Sequence, residues 1–415
     1  MIDEDYKYHC LGGALCPNGP STWYVTDWDQ RRTVSVTMDG EVEDDNIAIE
    51  HFRLHGNQLS PGIYEINVSN TGEIISTSTD PEDDQNFCVH YPFLHEMSLP
   101  EGIQTVRRDE LEELDRLGPM TDLVAYPPCA GGTAKKVVFK YHFVFQRAEM
   151  TWIEMNLWMR LPHHPNIVPF DRIVVDELEG RVVGFTNLYV PGGTLEENKS
   201  RVFRLEWLRQ LIKVVDDLNL RYSIAHQDIA PRNLLVDGST DSIKLFDFNF
   251  ASRIHHKSIL GDREHYDKAR NDVKGVIFTI YEIITRDDSL RRKRHEEQNL
   301  DDIRREWVKH PEVKLDHPVT SYQLMLQEWE KQRARDHLGD CPEPINWPTR
   351  PKPPKKTSTT KDPWGKLHVN TWDAVSERRQ DVRDRGGKVL TWERPPQRLI
   401  DSGTRVLSTG EVIKC

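Results

Sequence analysis

His226, Asp228 and Asn233 stand in one short run, His226-Gln-Asp-Ile-Ala-Pro-Arg-Asn233, and Asp247-Phe-Asn249 begins fourteen residues after that asparagine. A carboxylate at Asp228 can orient or deprotonate an attacking hydroxyl. The amide oxygen of Asn233 and the carboxylate of Asp247 are hard donors, able to hold Mg²⁺ against nucleotide phosphates. Together these groups would serve phosphoryl transfer. The plainer alternative is that His, Asp and Asn satisfy turns between strands, and a lone His-x-Asp would favour it. The apolar runs Leu234-Leu-Val236 and Ile243-Lys-Leu-Phe246 between the motifs weigh against it, as do partners further upstream.

Such chemistry needs a strand lysine on the α/β-phosphates and a glutamate on the next helix to hold that lysine. Lys136-Val-Val-Phe-Lys140 supplies Lys140. The segment Met150-Thr-Trp-Ile-Glu-Met-Asn-Leu-Trp-Met-Arg-Leu161 supplies Glu154, with Glu149 the second candidate. Either residue alone reads equally well as a solvated side chain; both, in this order and spacing, do not. The surrounding pattern is β-type near 123–126, 136–143 and 173–190. An amphipathic helix is expected near 147–161, and long helices at 201–222, 271–285 and 299–336. Asn271 to Thr285 is apolar nearly all round, as a helix buried on every side would be.

The chain has 415 residues, and its net charge of −12 is unevenly placed. Residues 1–105 hold 19 acidic and 4 basic side chains, so this region is not expected to bind nucleic acid. It is read as a solvated acidic surface, or as a contact for a basic partner or for the chain's own basic C-terminal half. It is also β-rich: Thr33–Thr37, Ile47–Glu50 after an acidic turn, and Ile63–Val68 with Glu73–Ile75 across a Ser-Asn-Thr-Gly turn suggest a small antiparallel sheet. After Cys341, Pro342-Glu-Pro and Arg350-Pro-Lys-Pro-Pro-Lys-Lys356 predict an extended linker. Short strands are expected at Lys388–Glu393 and across Thr404 to Ile413. Six scattered cysteines (10, 16, 88, 129, 341, 415) form no zinc pattern and read as free thiols. With no membrane-length apolar run and an acidic start, a cytoplasmic or nuclear protein is expected, with no membrane partner.

These motifs resemble the eukaryotic protein-kinase family. His163-His-Pro-Asn-Ile-Val168 is similar to the segment that closes the glutamate-bearing helix there, and Asn187-Leu-Tyr-Val-Pro-Gly-Gly-Thr-Leu195 to the hinge between lobes. The resemblance implies an α+β, two-lobed fold, with a small β-rich N-lobe and a large helical C-lobe. An acidic β-rich extension at 1–105 would precede the kinase-like domain at 106–338, and a Pro/Lys-rich linker and mostly extended tail would follow at 339–415. It implies ATP and Mg²⁺ as cofactors and a protein or small-molecule hydroxyl as acceptor. Asp228, Arg232, Lys140 and Glu154 would be catalytic, and Asn233 and Asp247 would hold the metal. Gly118, Val138, Leu188, Tyr189 and Val190 would enclose the nucleotide, with Asn187 at its inner edge, and Asp272 would bond the catalytic loop.

The departures are as specific as the matches. After Leu117-Gly118 come Pro119-Met-Thr-Asp122, with no further glycine, so the phosphate lid would grip less well and Asp122 would bring a negative charge near it. Gln227 replaces the arginine that pairs with a phosphorylated loop, implying no such switch. Ala230 stands where many members carry lysine, and Arg232 could replace that charge. Asn249 replaces glycine; asparagine tolerates positive φ better than other non-glycine residues, so the turn is expected to survive while the loop loses mobility. Only 25 positions separate Asp247 from Asp272, short for the family, and no Ala-Pro-Glu is present, which puts a peptide platform in doubt. The alternative to a working phosphotransferase is a pseudokinase that binds nucleotide or other proteins.

Overall fold

The computed structural model describes residues 2–127, 134–254, 264–304, 306–335, 341–361, 364, 366–400, 404–406 and 412–414. Cys129, Gly410 and Cys415, and residues 255–263 of the stretch between Asp247 and Asp272, lie outside the described residues.

The first sheet runs β1 (Tyr8–Leu15), β2 (Ser21–Asp27), β3 (Arg32–Met38), β4 (Glu65–Val68) and β5 (Ile74–Ser78), hydrogen-bonded in that order. It is not wholly antiparallel: β3 and β4 are parallel, joined across one face by helix α1 (Asp45–His55). Ile47–Glu50 therefore belongs to a helix rather than a strand. Asp44 caps it, its side chain accepting from Asn46 N at 3.0 Å. Ala48 and Phe52, one turn apart, share the buried face against Val34, Val36, Ile66 and Val68, while Ile47 is 40% exposed.

After the short strand β6 (Cys88–Val89) a second sheet forms from β7 (Gln104–Arg107), β8 (Glu112–Gly118), β9 (Thr121–Ala125), β10 (Lys136–Tyr141), β11 (Phe170–Val175) and β12 (Val182–Leu188). Its order is β7-β11-β12-β10-β9-β8. Gly184 of β12 faces β10 so closely that a Cβ would lie 2.2 Å from the Lys140 carbonyl. Helix α2 (Ala148–Trp158) is buried from Trp152 through Trp158 and so is not amphipathic. The cause is tertiary: the chain expected to be an extended linker covers its outer face, where Trp152 Nε1 donates to Pro348 O at 3.0 Å.

The helical layer contains α3 (Leu205–Asp216), continued by a π-turn at Asp217–Arg221, then α4 (Asp272–Thr285) and α5 (Val319–Arg333). The single helix expected over 299–336 is broken. A 3₁₀ turn at Leu300–Ile303 is followed by irregular chain, and α5 starts directly after Pro318. Proline lacks the N–H a helix interior needs but is tolerated at a helix start. Tyr322 of α5 donates to Phe203 O at 2.8 Å, tying the layer together.

The chain beyond 341 is not a free linker. Trp347 is buried under the Arg253 guanidinium, and Arg350 donates to His90 O at 2.7 Å. A hairpin, Lys355–Lys361 with Leu367–Asp373, projects with most of both strands exposed, and Ser376–Glu377 then pairs with β6. Lys388–Glu393 forms no strand; it runs as irregular chain that seats Trp392 flat on Tyr141, the ring centroids 4.8 Å apart and the planes 9° from parallel. Thr404–Val406 does pair with Val412–Lys414. Arg394 reaches Asp29 at 2.5 Å, so the terminal segment, the first sheet and the outer side of the second sheet meet in one junction.

Candidate active site

The hairpin Leu234–Asp237 and Ser242–Leu245 places Asn233 and Phe246 across from each other, Phe246 N donating to Asn233 O at 3.2 Å. This brings the first motif to the start of the second. Helix α4 fixes the loop before it. The Asp272 carboxylate accepts from His226 N (2.8 Å), Gln227 N (2.7 Å) and Asn219 Nδ2 (2.8 Å). Thr279 Oγ1 bonds the Ile229 carbonyl at 3.0 Å, and Gly275 leaves the space that Ile229 needs. Held this way, Asp228 receives Arg232 Nη2 on both oxygens, at 2.7 and 2.9 Å, and Asn233 Nδ2 at 2.8 Å. Burial raises the Asp228 carboxyl, but Arg232, His226 and Asn233 outweigh it and keep it below the usual carboxylate range. It is an ionised acceptor suited to orienting a hydroxyl.

A cleft of about 640 Å³ opens between β10, α2 and the chain after β12. Lys140 Nζ sits in it, 2.6 Å from Glu154 Oε1 and also bonded to Asp247 Oδ1. Glu154, not Glu149, is thus the lysine's helix partner. Burial pulls the ammonium down, yet the two carboxylates hold it above the ordinary lysine range. Burial pushes Glu154 up to about 7, with Asp247 adding to the rise and Lys140 opposing it: one ammonium serves two carboxylates.

Val138, Gly118, Leu188, Tyr189, Val190 and Arg232 line this cleft with Lys140, Glu154 and Asp247. Asp228 and Asn233 do not line it; they adjoin it through Arg232 and Phe246. Leu188 N–H is committed to Pro169 O at 3.1 Å. The chain then passes so close to the hairpin that a Cβ on Gly192 would lie 1.6 Å from Val236 O. Two amide oxygens in the cleft wall, on Asn187 and Asn249, are buried without a hydrogen-bond partner among the described residues. Such orphaned acceptors fit a cavity built for a polar ligand.

The protein kinase domain family model matches residues 130–322. The chain carries a protein-kinase-like domain. A stretch of 141 residues is 33% identical to the CBL-interacting serine/threonine-protein kinase 16 of Arabidopsis thaliana, covering 32% of this chain and 29% of that protein. Another 127 residues are 30% identical to the serine/threonine-protein kinase Wnk of Drosophila melanogaster, covering 26% of this chain and 5% of that one. The similarity thus spans less than a third of either relative.

Within the kinase-like domain two expectations change. Asp122 does not face the phosphate lid. It is buried on the far side, 2.5 Å from both Arg31 and Arg116, because Arg31 from the turn between β2 and β3 and Arg116 of β8 meet it there. The positive φ falls on Asp247 (66°), not Asn249. The lid is a two-residue turn with Met120 at φ 57°, and Pro119 offers it no N–H.

Sequence reasoning also missed what Gln227 does. Its Nε2 donates to Phe250 O (2.7 Å) and His265 O (2.9 Å), and its Oε1 accepts from Asp267 N at 2.6 Å. A neutral amide therefore joins both described ends of the Asp247–Asp272 stretch to the catalytic loop. Only the substitution itself signalled this. Arg147, Met150 and Trp158 in the cleft wall were missed too, although they lie seven and four residues before Glu154 and four after it, on its helix face.

Proposed function

We propose that this chain is an ATP- and Mg²⁺-dependent phosphotransferase with a two-lobed kinase fold spanning about 106–338, transferring the γ-phosphoryl group to a hydroxyl of a protein or small molecule. The observation that carries the reading is the single ammonium of Lys140 bonded to both Glu154 and Asp247 in a cleft beside a catalytic loop held by Asp272. The main chain of Leu188 to Val190 would meet the base, and Val138 and Gly118 would cover it. Lys140 would pass from Asp247 to the α/β-phosphates while keeping Glu154. Asp228 would accept the acceptor's hydroxyl hydrogen and align its oxygen, and Arg232 would counter the charge that develops on the transferred group.

The donor set suits Mg²⁺. Among the described residues no three His, Cys, Asp or Glu gather to hold an ion, and Mg²⁺ is bound by one or two protein oxygens plus substrate phosphates. Asp247 would supply one; Asn233, whose Nδ2 is committed to Asp228, would supply its amide oxygen. Bound there, the ion would neutralise phosphate charge. No helix among the described residues is long and apolar enough to cross a membrane; we place the protein in the cytoplasm or nucleus.

The glycine-poor lid favours a second reading, a pseudokinase that binds nucleotide or partners without turnover. Mg·ATP consumption and phosphate transfer to a hydroxyl substrate panel separate the two. Wild-type turnover should exceed that of Asp228→Asn and Lys140→Met by at least roughly a hundredfold, the scale of general-base and positioning effects. Equal rates in folded proteins would leave only the pseudokinase.

A further inference from the structure

The phosphate grip of this cleft has a gap and a candidate to fill it. The lid turn supplies few donors: Pro119 has no N–H, and no glycine follows Gly118 to bring the backbone near a ligand. Three cations line the cleft: Lys140, Arg232 and Arg147. The first is bonded to Glu154 and Asp247, and the second to Asp228. Arg147 alone of the three makes no side-chain hydrogen bond or ion pair among the described residues. Its backbone is nonetheless fixed, with N–H on Val144 O at 3.1 Å and carbonyl accepting from Thr151 Oγ1 at 3.1 Å.

Position along the helix says where that guanidinium works. Arg147, Met150, Thr151, Glu154 and Trp158 share one face, and all line the cleft. Seven residues at 1.5 Å per residue set Arg147 about 10 Å from Glu154, toward the helix start. Met120 and Thr121 of the lid hairpin line the same cleft. A fork of N–H donors in this place matches phosphate oxygens.

We propose that Arg147 binds the β/γ-phosphates of the nucleotide, taking over a grip that the glycine-poor lid does not provide. The proposal rests on the nucleotide-binding reading above. It is tested by calorimetric titration of the full chain with Mg·ATP and, separately, with adenosine, using wild type, Arg147→Ala and Arg147→Lys. Losing a charge-assisted hydrogen bond should weaken Mg·ATP by roughly ten- to a hundredfold in Arg147→Ala. Adenosine affinity should not move, and lysine, lacking the fork, should restore only part. Wild type that binds Mg·ATP no better than Arg147→Ala overturns the inference alone, as does equal weakening of adenosine. Wild type that binds neither ligand overturns the nucleotide-binding reading with it.

Discussion

Asp122→Ala tests the junction that the structure places behind the lid. Asp122 lies 2.5 Å from Arg31 Nη2 and 2.5 Å from Arg116 Nε. Arg116 is fully buried, and its other nitrogens bond the carbonyls of Asp29 and Trp28 at 2.9 Å each, so it cannot swing out to water without breaking both. Arg31 retains Glu113 at 2.8 Å. Removing the carboxylate therefore leaves one buried guanidinium without a counter-charge. Breaking such a pair from one side costs about 3–5 kcal/mol, whereas replacing the pair by apolar groups is often neutral. Asp122→Ala should lower the urea midpoint by that energy divided by the unfolding slope, and Asp122→Ala with Arg116→Met should recover most of it. Mg·ATP affinity should stay within about twofold, a difference of about 0.4 kcal/mol, since Asp122 does not line the cleft. A loss under about 1 kcal/mol together with tighter nucleotide binding would refute the placement. Asp122 would then be facing the phosphates.

Two further outcomes follow from the site itself. Glu154 sits above its ordinary value, so its contribution to stability is present in acid and is lost as the pH rises through about 7. A cation at Asp247 removes one cause of the rise while burial remains, so Mg·ADP binding at pH 7 should release a fraction of a proton, at most about half. Calorimetry in Tris and PIPES buffers should show this as different observed enthalpies, and Glu154→Gln should abolish the difference; identical observed enthalpies in the two buffers for wild type would count against the shared ammonium. Gln227→Arg puts a charge where an amide both donates and accepts, and strands Asp267 N–H. Thermal melts should show a loss of about 1–3 kcal/mol, the cost of unmade buried hydrogen bonds; a stabilised variant would mean that the amide does not hold the segment.

The chemistry was legible along the chain because its groups lie on regular elements at fixed spacing. Lys140 ends an apolar strand, Glu154 faces inward from the next helix, and Asp228 to Asn233 with Asp247 flank one hairpin, so order and type alone implied a common cleft. Even Asn187 and Asn249 could be singled out, though not that both amide oxygens would be orphaned there. Local elements were misread where long-range packing overrode local pattern. Ile47–Glu50 alternates like a strand, but the Asp44 cap and the crossover between two parallel strands make it a helix. Helix α2 looked one-sided until the chain near Pro348 covered its other side.

The residue types and their spacing were enough for the kinase-like domain, because phosphoryl transfer admits few groups for each task and a backbone of given period can present them in few ways. Asp122 shows the opposite case. Nothing near it in the chain reveals that Arg31, 91 residues earlier, would neutralise it, or that Trp392 would stack on Tyr141 beside it. The same holds for Gln227, whose partners at 250, 265 and 267 come together only when the loop closes. Charge burial and loop tethering depend on which distant segments share space, and only the tertiary structure decides that.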